Sequence, residues 1–529
     1  MIRKKIINLI EKSIKELQKE KVLPEFELPE IQVEHPEEKI HGDYASNAAM
    51  VIAKILKKNP AEIVEIINSK LKTQSAKLFE KVEVAGPGFI NFFVSKEYLQ
   101  KQVGEILRKD EKFGQLNVGR NKKTNVEFIS ANPTSQLHIG NGRGAFFGDC
   151  LANVLEKAGY RIIREYYVND CRNSNQIQEL GKTALGKGKT YLTPYLKKLI
   201  LKLKLHLKEF KSETDAGYFL AQNILGDIKK FVQEKLKIKF DFWISEQILY
   251  RQDRIKIIYE FLEKKKLVYG KEGAFWLNLS KFNQKDEVLV RESGHSTYFL
   301  ADIAYHKYKI ERGFKKIIDV WGADHQGHIP RIKAAMTILG YKGEFDVLIT
   351  QIVSLKGKKM SKRKGDIITL EWLVDKVGLD AVRFFYLMKS LDTQMDFDLK
   401  LAKQQSKKNP VYYIQYAHAR ICSILRKIKS YKLQVTSYKL LNHPSELELI
   451  KQLIRFPEII EDTAKDYQIQ RFPQYAVDLA TVFHQFYRDC KVISKNKDLT
   501  WARLSLILAT KTVLKNTLDL MGISAPEKM

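Results

Sequence analysis

Histidine, asparagine and glycine crowd one short stretch, Ala131-Asn132-Pro133-Thr134-Ser135-Gln136-Leu137-His138-Ile139-Gly140-Asn141. It follows a β-favouring run from Val126 to Ile129 and precedes a helical pattern that extends to Ala158. A helix that starts just after a strand presents free backbone N–H groups and the positive end of its dipole, a setting that suits phosphate. Gly140, Gly142 and Gly144 carry no side chains, so a ligand or a neighbouring backbone can come close, and His138 and Asn141 add donors at the same place. The pattern is neither of the common phosphate loops, and by itself a glycine-rich helix start with a capping Asn is ordinary structure. A second stretch, Leu355-Lys-Gly-Lys-Lys-Met-Ser-Lys-Arg-Lys-Gly-Asp366, follows a strand-like run at 347–353. Lysines in a glycine-flanked loop can neutralise the charge on a departing pyrophosphate, although most lysine-rich runs are solvated surface.

The elements that must position these stretches fall into three parts. Residues 1–108 read as an α+β unit. It starts with an amphipathic helix over 1–20 (Ile2, Ile6, Ile7, Leu9, Ile10, Ile14 and Leu17 near helical spacing) and contains a hairpin around Gly86-Pro87-Gly88, with Asp43 as a candidate helix cap. The polar segment 109–123 reads as a linker. From 120 to 395 strands at 126–130, 161–168, 274–278, 317–321 and 346–353 alternate with helices at 140–158, 298–312 and 328–340, which argues a mainly parallel sheet with ligands at the carboxyl ends of its strands. A lysine-rich helical excursion at about 181–240 interrupts the alternation; its Leu199–Leu207 stripe reads as a solvated helix rather than a membrane face. From 405 to 529 the amphipathic segments 411–430, 445–467, 472–494 and 499–521 argue an all-α helix bundle. The fold class expected is multidomain α/β: a Rossmann-type parallel sheet, an N-terminal α+β domain and a C-terminal helix bundle.

Composition narrows the partners. The chain has 529 residues and a formal net charge of +29, and residues 401–529 carry 21 Lys and Arg against 11 Asp and Glu. A polyanionic partner and a lysine-rich solvated surface both fit such an excess. Cys150, Cys171, Cys422 and Cys490 form no C-x-x-C pair, which disfavours a structural zinc site and suits reduced core thiols. Neither a signal peptide nor a run long enough to span a bilayer is found, so a cytoplasmic location is expected.

The pairing of His-Ile-Gly-Asn141 with Lys359-Met360-Ser361-Lys362 resembles the HIGH and KMSKS motifs of class I aminoacyl-tRNA synthetases. Arg363 replaces the final Ser of the second motif. Asn141 replaces the second His of the first; it can donate a hydrogen bond but cannot carry a proton. Asp302-Ile-Ala-Tyr-His, Val320-Trp-Gly-Ala-Asp-His-Gln, Asn409-Pro-Val-Tyr-Tyr-Ile-Gln-Tyr-Ala-His-Ala-Arg, His41-Gly-Asp-Tyr-Ala and the closing Ser-Ala-Pro-Glu-Lys-Met529 narrow the likeness to the arginyl-tRNA synthetase family. The resemblance covers nearly the whole chain and is weakest over 181–240.

That resemblance implies ATP-dependent ligation of L-arginine to tRNA(Arg) through an arginyl-adenylate, with activation waiting for bound tRNA. His138, Gly140, Asn141, Gly142, Asp324, His325, Lys359, Met360, Ser361 and Lys362 would hold ATP. His138, Asn141, Lys359 and Lys362 would serve the transition state. Ser130, Asn132, Tyr298, Asp302 and Gln326 would hold arginine, with Asn169 and Asp170 as further candidates. Mg²⁺ would arrive with ATP, without a protein metal site of its own. Of the bundle residues, Tyr412, Tyr416, Arg420 and Met529 would touch tRNA, and the enzyme would act as a monomer. Two other readings remain at this point. A small-molecule nucleotidyltransferase of related fold would not need the basic bundle, and a non-catalytic RNA-binding relative would not need His138, Lys359 and Lys362.

Overall fold

A computed structural model describes residues 1–75, 77–172, 174–356, 368–427 and 437–529. The N-terminal unit forms as its pattern predicts. Helix Ile2–Lys19 buries Ile2, Ile6, Ile10, Ile14 and Leu17, leaves Ile7 and Leu9 half-buried, and packs beside helix Pro60–Ser75 in a unit that also holds a three-stranded antiparallel sheet. The sheet contains β1 (Tyr44–Ser46), β2 (Phe79–Ala85) and β3 (Phe89–Val94), ordered β1-β3-β2. Asp43 does not cap the following helix. Its carboxylate accepts from the Val94 N–H at 2.8 Å and pairs with Lys451 of the bundle at 2.6 Å. The segment expected as a linker is packed as well: Phe113 is buried and its ring lies 6.2 Å from that of Phe456.

Five parallel strands build the central sheet: β4 (Lys123–Glu127), β5 (Arg161–Val168), β6 (Phe242–Ser245), β10 (Lys316–Gly322) and β11 (Glu344–Thr350). Their order, β11-β10-β4-β5-β6, reverses direction between β4 and β10. Such a reversal opens a crevice at the carboxyl ends of the two strands. The expected strand at 274–278 is not part of this sheet. It is β8 (Ala274–Leu277) of a separate antiparallel sheet between β7 (Val268–Lys271) and β9 (Glu287–Val290). The edge of the central sheet is taken instead by β6, whose four residues are too short to reveal a period. A short parallel pair, β12 (Val353–Leu355) and β13 (Met395–Phe397), stands apart.

One row of buried side chains joins sheet and helix. Asp319, Glu127 and Glu165 occupy matched positions on β10, β4 and β5. Helix Tyr298–Glu311 and its C-cap Arg312 answer them. Lys309 Nζ donates to Glu127 at 2.5 Å and to Asp319 at 2.7 Å, His306 meets Asp319 at 2.9 Å, Tyr305 donates to Glu165 at 2.7 Å, and Arg312 pairs with Glu165 at 2.5 Å. Burial pushes the Glu127 carboxyl up. For Asp319 burial acts the same way, but Lys309 and His306 outweigh it and hold that carboxyl below its usual range.

The bundle is formed by Pro410–Arg426, Pro444–Ile454, Phe456–Asp466, Arg471–Asp489 and Lys497–Met521. The single segment expected over 445–467 breaks at Arg455, ahead of Pro457. Arg3 bonds Asp462 and Glu461, and Tyr44 bonds Glu458, so the N-terminal unit is seated on the bundle. Arg383, on helix Leu379–Leu387, is buried at a three-way junction. It donates to Asp149 at 2.7 Å, to the Leu236 carbonyl at 2.7 Å and to the Met521 carbonyl at 3.2 Å. All four cysteines are buried. Among the described residues no helix is long and apolar enough to cross a membrane.

Lys309→Met removes the cation shared by two buried carboxylates. It is expected to lower the stability of the central sheet by about 3–5 kcal/mol, read as a shift in the urea midpoint with an unchanged slope.

Candidate functional site

The crevice between β4 and β10 is built by the chain as it leaves β4. Ile129 and Ser130 turn there with φ of 68° and 39°, a left-handed conformation that a β-branched residue rarely adopts. The turn is held from both sides. Ser130 Oγ donates to Glu127 at 2.9 Å and accepts from the Tyr167 N–H at 3.0 Å, while the Tyr166 hydroxyl bonds both the N–H and the carbonyl of Ala131. Ser130, expected as a ligand contact, thus also braces the turn. Asn132 Oδ1 accepts from Asn169 at 2.6 Å, which leaves its own amide to donate.

Helix Ile139–Lys157 then begins with a reciprocal cap. His138 Nδ1 accepts from the Gly140 N–H at 3.0 Å, and Asn141 Oδ1 accepts from the His138 N–H at 2.9 Å. An Nδ1 that accepts puts the proton of a neutral ring on Nε2. The glycines are needed, but for packing. A Cβ on Gly140 would meet the His138 ring at 2.8 Å. On Gly142 it would meet Leu370 at 3.0 Å and Tyr386 at 3.1 Å. At Gly142, expected to meet ATP, the side that a Cβ would occupy is taken up by protein. Gly144 has ordinary room, with Ile129, Val320 and Thr350 each at about 3.7–3.8 Å, which sets the helix start over the ends of β4, β10 and β11. The tightest approach is at Gly148, where a Cβ would lie 2.2 Å from Phe128. Asp324, His325 and Gln326 follow β10 on the short helix Ala323–His328 and are exposed at the same rim.

Lys359, Met360, Ser361 and Lys362 lie outside the described residues, as does Arg363. Their flanks do not. Beyond them, Ile368–Leu370 runs antiparallel to the first motif: Ile139 N–H donates to the Ile368 carbonyl at 3.1 Å and Leu370 N–H to the Leu137 carbonyl at 2.8 Å. Gln136 adds a bond to Glu371 at 3.2 Å. Before them, β12 is paired to β13. The two distant stretches of sequence are therefore hydrogen-bonded neighbours where the chain returns from the second.

A cluster of carboxylates stands at the other end of the crevice. Tyr298 and Asp302 share a helix face, as their spacing predicts, and His328 Nε2 meets Asp302 at 2.9 Å. Beside them is Glu246, just past β6, 3% exposed and with Oε2 unbonded among the described residues. Burial, then the charges of Asp302 and Asp170, push its carboxyl up to about 8. Asp170 is bonded by the neutral groups Ser245 and Gln222. Among the described residues neither Lys nor Arg pairs with Glu246, Asp302 or Asp170, and the buried Tyr167 hydroxyl has no hydrogen-bond partner. Glu246 and Asp170 are buried and Asp302 is partly so; carboxylates without a Lys or Arg partner can accept from a positive group with several donors, such as a guanidinium. The sequence reading missed Glu246 and Tyr167; the visible signal was a β-favouring run, Phe242-Trp-Ile-Ser245, that ends at a carboxylate.

On the bundle, the rings of Tyr412 and Tyr416 are nearly parallel, with centroids 6.5 Å apart and planes at 11°. Arg420 bonds the Tyr416 hydroxyl and lies 5.2 Å over its ring and 5.7 Å over that of Tyr487. His484 stacks on Tyr416 at 5.9 Å. Tyr487 and His484 come from helix Arg471–Asp489 and were not foreseen. Met529 is not brought to this group. The closing segment follows another face of helix Pro410–Arg426, where Gln415, His418 and Arg426 bond the carbonyls of Ser524, Pro526 and Glu527.

Three family models match the chain. An arginyl tRNA synthetase N terminal domain covers residues 4–94, a class I (R) tRNA synthetase catalytic domain covers 102–177 and 204–394, and a DALR anticodon binding domain covers 414–529. Among curated proteins, the arginine--tRNA ligase of Caldanaerobacter subterraneus subsp. tengcongensis is 41% identical over 100% of this chain and 99% of its own. That of Listeria welshimeri is 42% identical over 96% of each. Among solved structures, Thermus thermophilus arginyl-tRNA synthetase superposes with a TM-score of 0.79 at 22% identity, covering 100% of both chains.

A cationic ligand seated on Glu246 binds its ionised form and expels its proton. The affinity for L-arginine is therefore expected to tighten as pH rises through about 8. Calorimetry of the parent should show this slope, and Glu246→Gln should flatten it along with weaker binding.

Proposed function

The chain belongs to the arginyl-tRNA synthetase family and joins L-arginine to tRNA(Arg) with ATP, through an arginyl-adenylate; we propose that the work is divided among its residues as follows. The ATP triphosphate lies at the N-terminus of helix Ile139–Lys157, between the first motif and the lysines of the second. His138 donates through Nε2 and Asn141 through its amide, and Asp324 and His325 line the nucleotide side. The arginine carboxylate attacks the α-phosphorus, the bond to the β-phosphate oxygen breaks, and pyrophosphate leaves. Lys359 and Lys362, with Met360 and Ser361 in the same motif, neutralise the departing charge. Mg²⁺ enters with ATP, bound to its phosphates. A hydroxyl of the terminal adenosine of tRNA then attacks the acyl carbonyl, and AMP leaves.

Arginine is held along its length. Asp302 and Glu246 face the guanidinium, Tyr298 closes one side, and Asn132 and Gln326 meet the α-groups. The single observation behind arginine as the substrate is the buried Glu246 beside Asp302, with no Lys or Arg of the described residues paired to either. On the RNA side, residues 1–108 meet the body of tRNA, residues 120–395 carry the chemistry, and residues 405–529 bind the anticodon. Tyr412, Tyr416 and Arg420, joined by Tyr487, offer rings and a cation to unpaired bases; Met529 contacts RNA separately. The enzyme acts as a cytoplasmic monomer, and arginine activation waits for tRNA.

Arginine-dependent ATP–pyrophosphate exchange, run with and without tRNA, tests this reading. Exchange that needs both arginine and tRNA is expected. Exchange that needs neither would make the chain a small-molecule nucleotidyltransferase, and tRNA binding without exchange would make it a non-catalytic relative. Asp302→Ala is expected to raise KM for arginine by about two orders of magnitude, the scale for truncating a charged contact, with KM for ATP unchanged; equal arginine KM in mutant and parent refutes the assignment. Lys362→Ala is expected to slow activation by about an order of magnitude or more.

A further inference from the structure

Between β5 and β6 the chain carries helix Pro194–Lys202 and the short helix Lys204–Leu207. Much of this stretch falls in residues 178–203, which the catalytic family match passes over. Leu196, Leu199 and Leu207 are buried and fix the pair to the protein. Lys197, Lys198, Lys202, Lys204 and Lys208 are all exposed, and the sequence holds neither Asp nor Glu from Leu180 to Lys208. Lysines nearby do find partners: Lys182 pairs with Glu179 and Lys187 with Glu213. None of the five forms an ion pair among the described residues. Leu201 and Leu205 stand out among them at 70% and 76% exposure.

The position of this surface matters as much as its charge. Tyr195, on the same helix, donates to Asp227 at 2.7 Å and lines a cavity of about 520 Å³ together with Gln136, Leu137 and Glu371. Gln136 and Leu137 immediately precede His138, so the cationic helix stands beside the first motif, on the carboxyl-end side of the sheet.

We propose that Pro194–Lys202 with Lys204–Leu207 is a phosphate track for the acceptor arm of tRNA, which guides the terminal nucleotides toward His138. This rests on the tRNA ligase reading above. Five lysines free of acidic partners complement a ribose–phosphate backbone. Leu201 and Leu205 give apolar surface on which an unpaired base or a ribose can rest. A lipid surface fits less well, because the helix has already spent its leucine face on the protein core and only two leucines remain to insert.

The test replaces Lys197, Lys198, Lys202, Lys204 and Lys208 together by Gln, with an all-Arg version as the charge-preserving control. Binding of full-length tRNA, of an isolated anticodon stem-loop and of phosphatidylglycerol vesicles is measured against salt, beside arginylation kinetics. The Gln variant is expected to bind full-length tRNA at least about tenfold more weakly, with a salt slope shallower by about one unit for each phosphate that the protein no longer neutralises. It should keep its stem-loop affinity, its arginine KM and its kcat at saturating tRNA, and the Arg variant should match the parent. Unchanged tRNA affinity and slope would overturn the proposal. So would an equal loss for the stem-loop, or a loss confined to vesicles. A parent that binds tRNA but never arginylates it would instead refute the ligase reading and leave the binding comparison intact.

Discussion

A row of three buried carboxylates, Asp319, Glu127 and Glu165, crosses the middle of the central sheet and is answered by one helix face. Taking such charges out of water is unfavourable, and mutual attraction offsets it only when the geometry is good. Hydrophobic packing tolerates a helix that slips by a turn; this row does not, because a slip would strand Lys309 away from both its acceptors. The helix is therefore fixed in register, and with it Asp302 and Tyr298, about one and two turns nearer its start. Glu127 also receives Ser130, so the same row holds the strained turn at Ile129. The floor of the crevice and the wall of the carboxylate cluster are thus one electrostatic structure.

Much of the architecture could be read from residue patterns. The helix over 1–20, the hairpin at Gly86-Pro87-Gly88, the strand–turn–helix around His138 and the all-α ending follow from hydrophobic period and turn chemistry. What escaped did so for definable reasons. Four residues of β6 are too few to show a period, whereas Ala274–Leu277 has strand character but pairs antiparallel elsewhere, a long-range fact. Helix Tyr298–Glu311 turns Tyr305, His306 and Lys309 toward the sheet, opposite to the rule that charges face water. Glu246 belonged to no motif; only burial beside Asp302 distinguishes it. The glycines of the first motif were read as room for a ligand or a neighbouring backbone, and at Gly140 and Gly142 the room that a Cβ would need is taken by the side chains of His138, Leu370 and Tyr386.

The first motif also shows how one constellation serves folding and chemistry at once. His138 caps the Gly140 N–H and Asn141 caps the His138 N–H, which starts the helix cleanly. The same bonds orient them: the imidazole acceptor is turned inward, so its N–H is directed away from the cap, and the Asn oxygen is engaged, so its NH₂ is the group left to donate. An amide at position 141 thereby suits a task that requires hydrogen bonding and no proton transfer.

Arg383 receives the end of the bundle's last helix through the Met521 carbonyl and helix Ile139–Lys157 through Asp149. Each added residue in an α-helix turns everything beyond it by about 100° and lifts it by about 1.5 Å. A single insertion or deletion inside Lys497–Met521 would swing that carbonyl off the guanidinium, and Gly522, where a Cβ would lie 2.2 Å from Arg383, leaves little slack to recover it. The length of this helix is thus gauged against a fixed pin in the catalytic body, so loops between the bundle helices can vary in length while this shaft cannot.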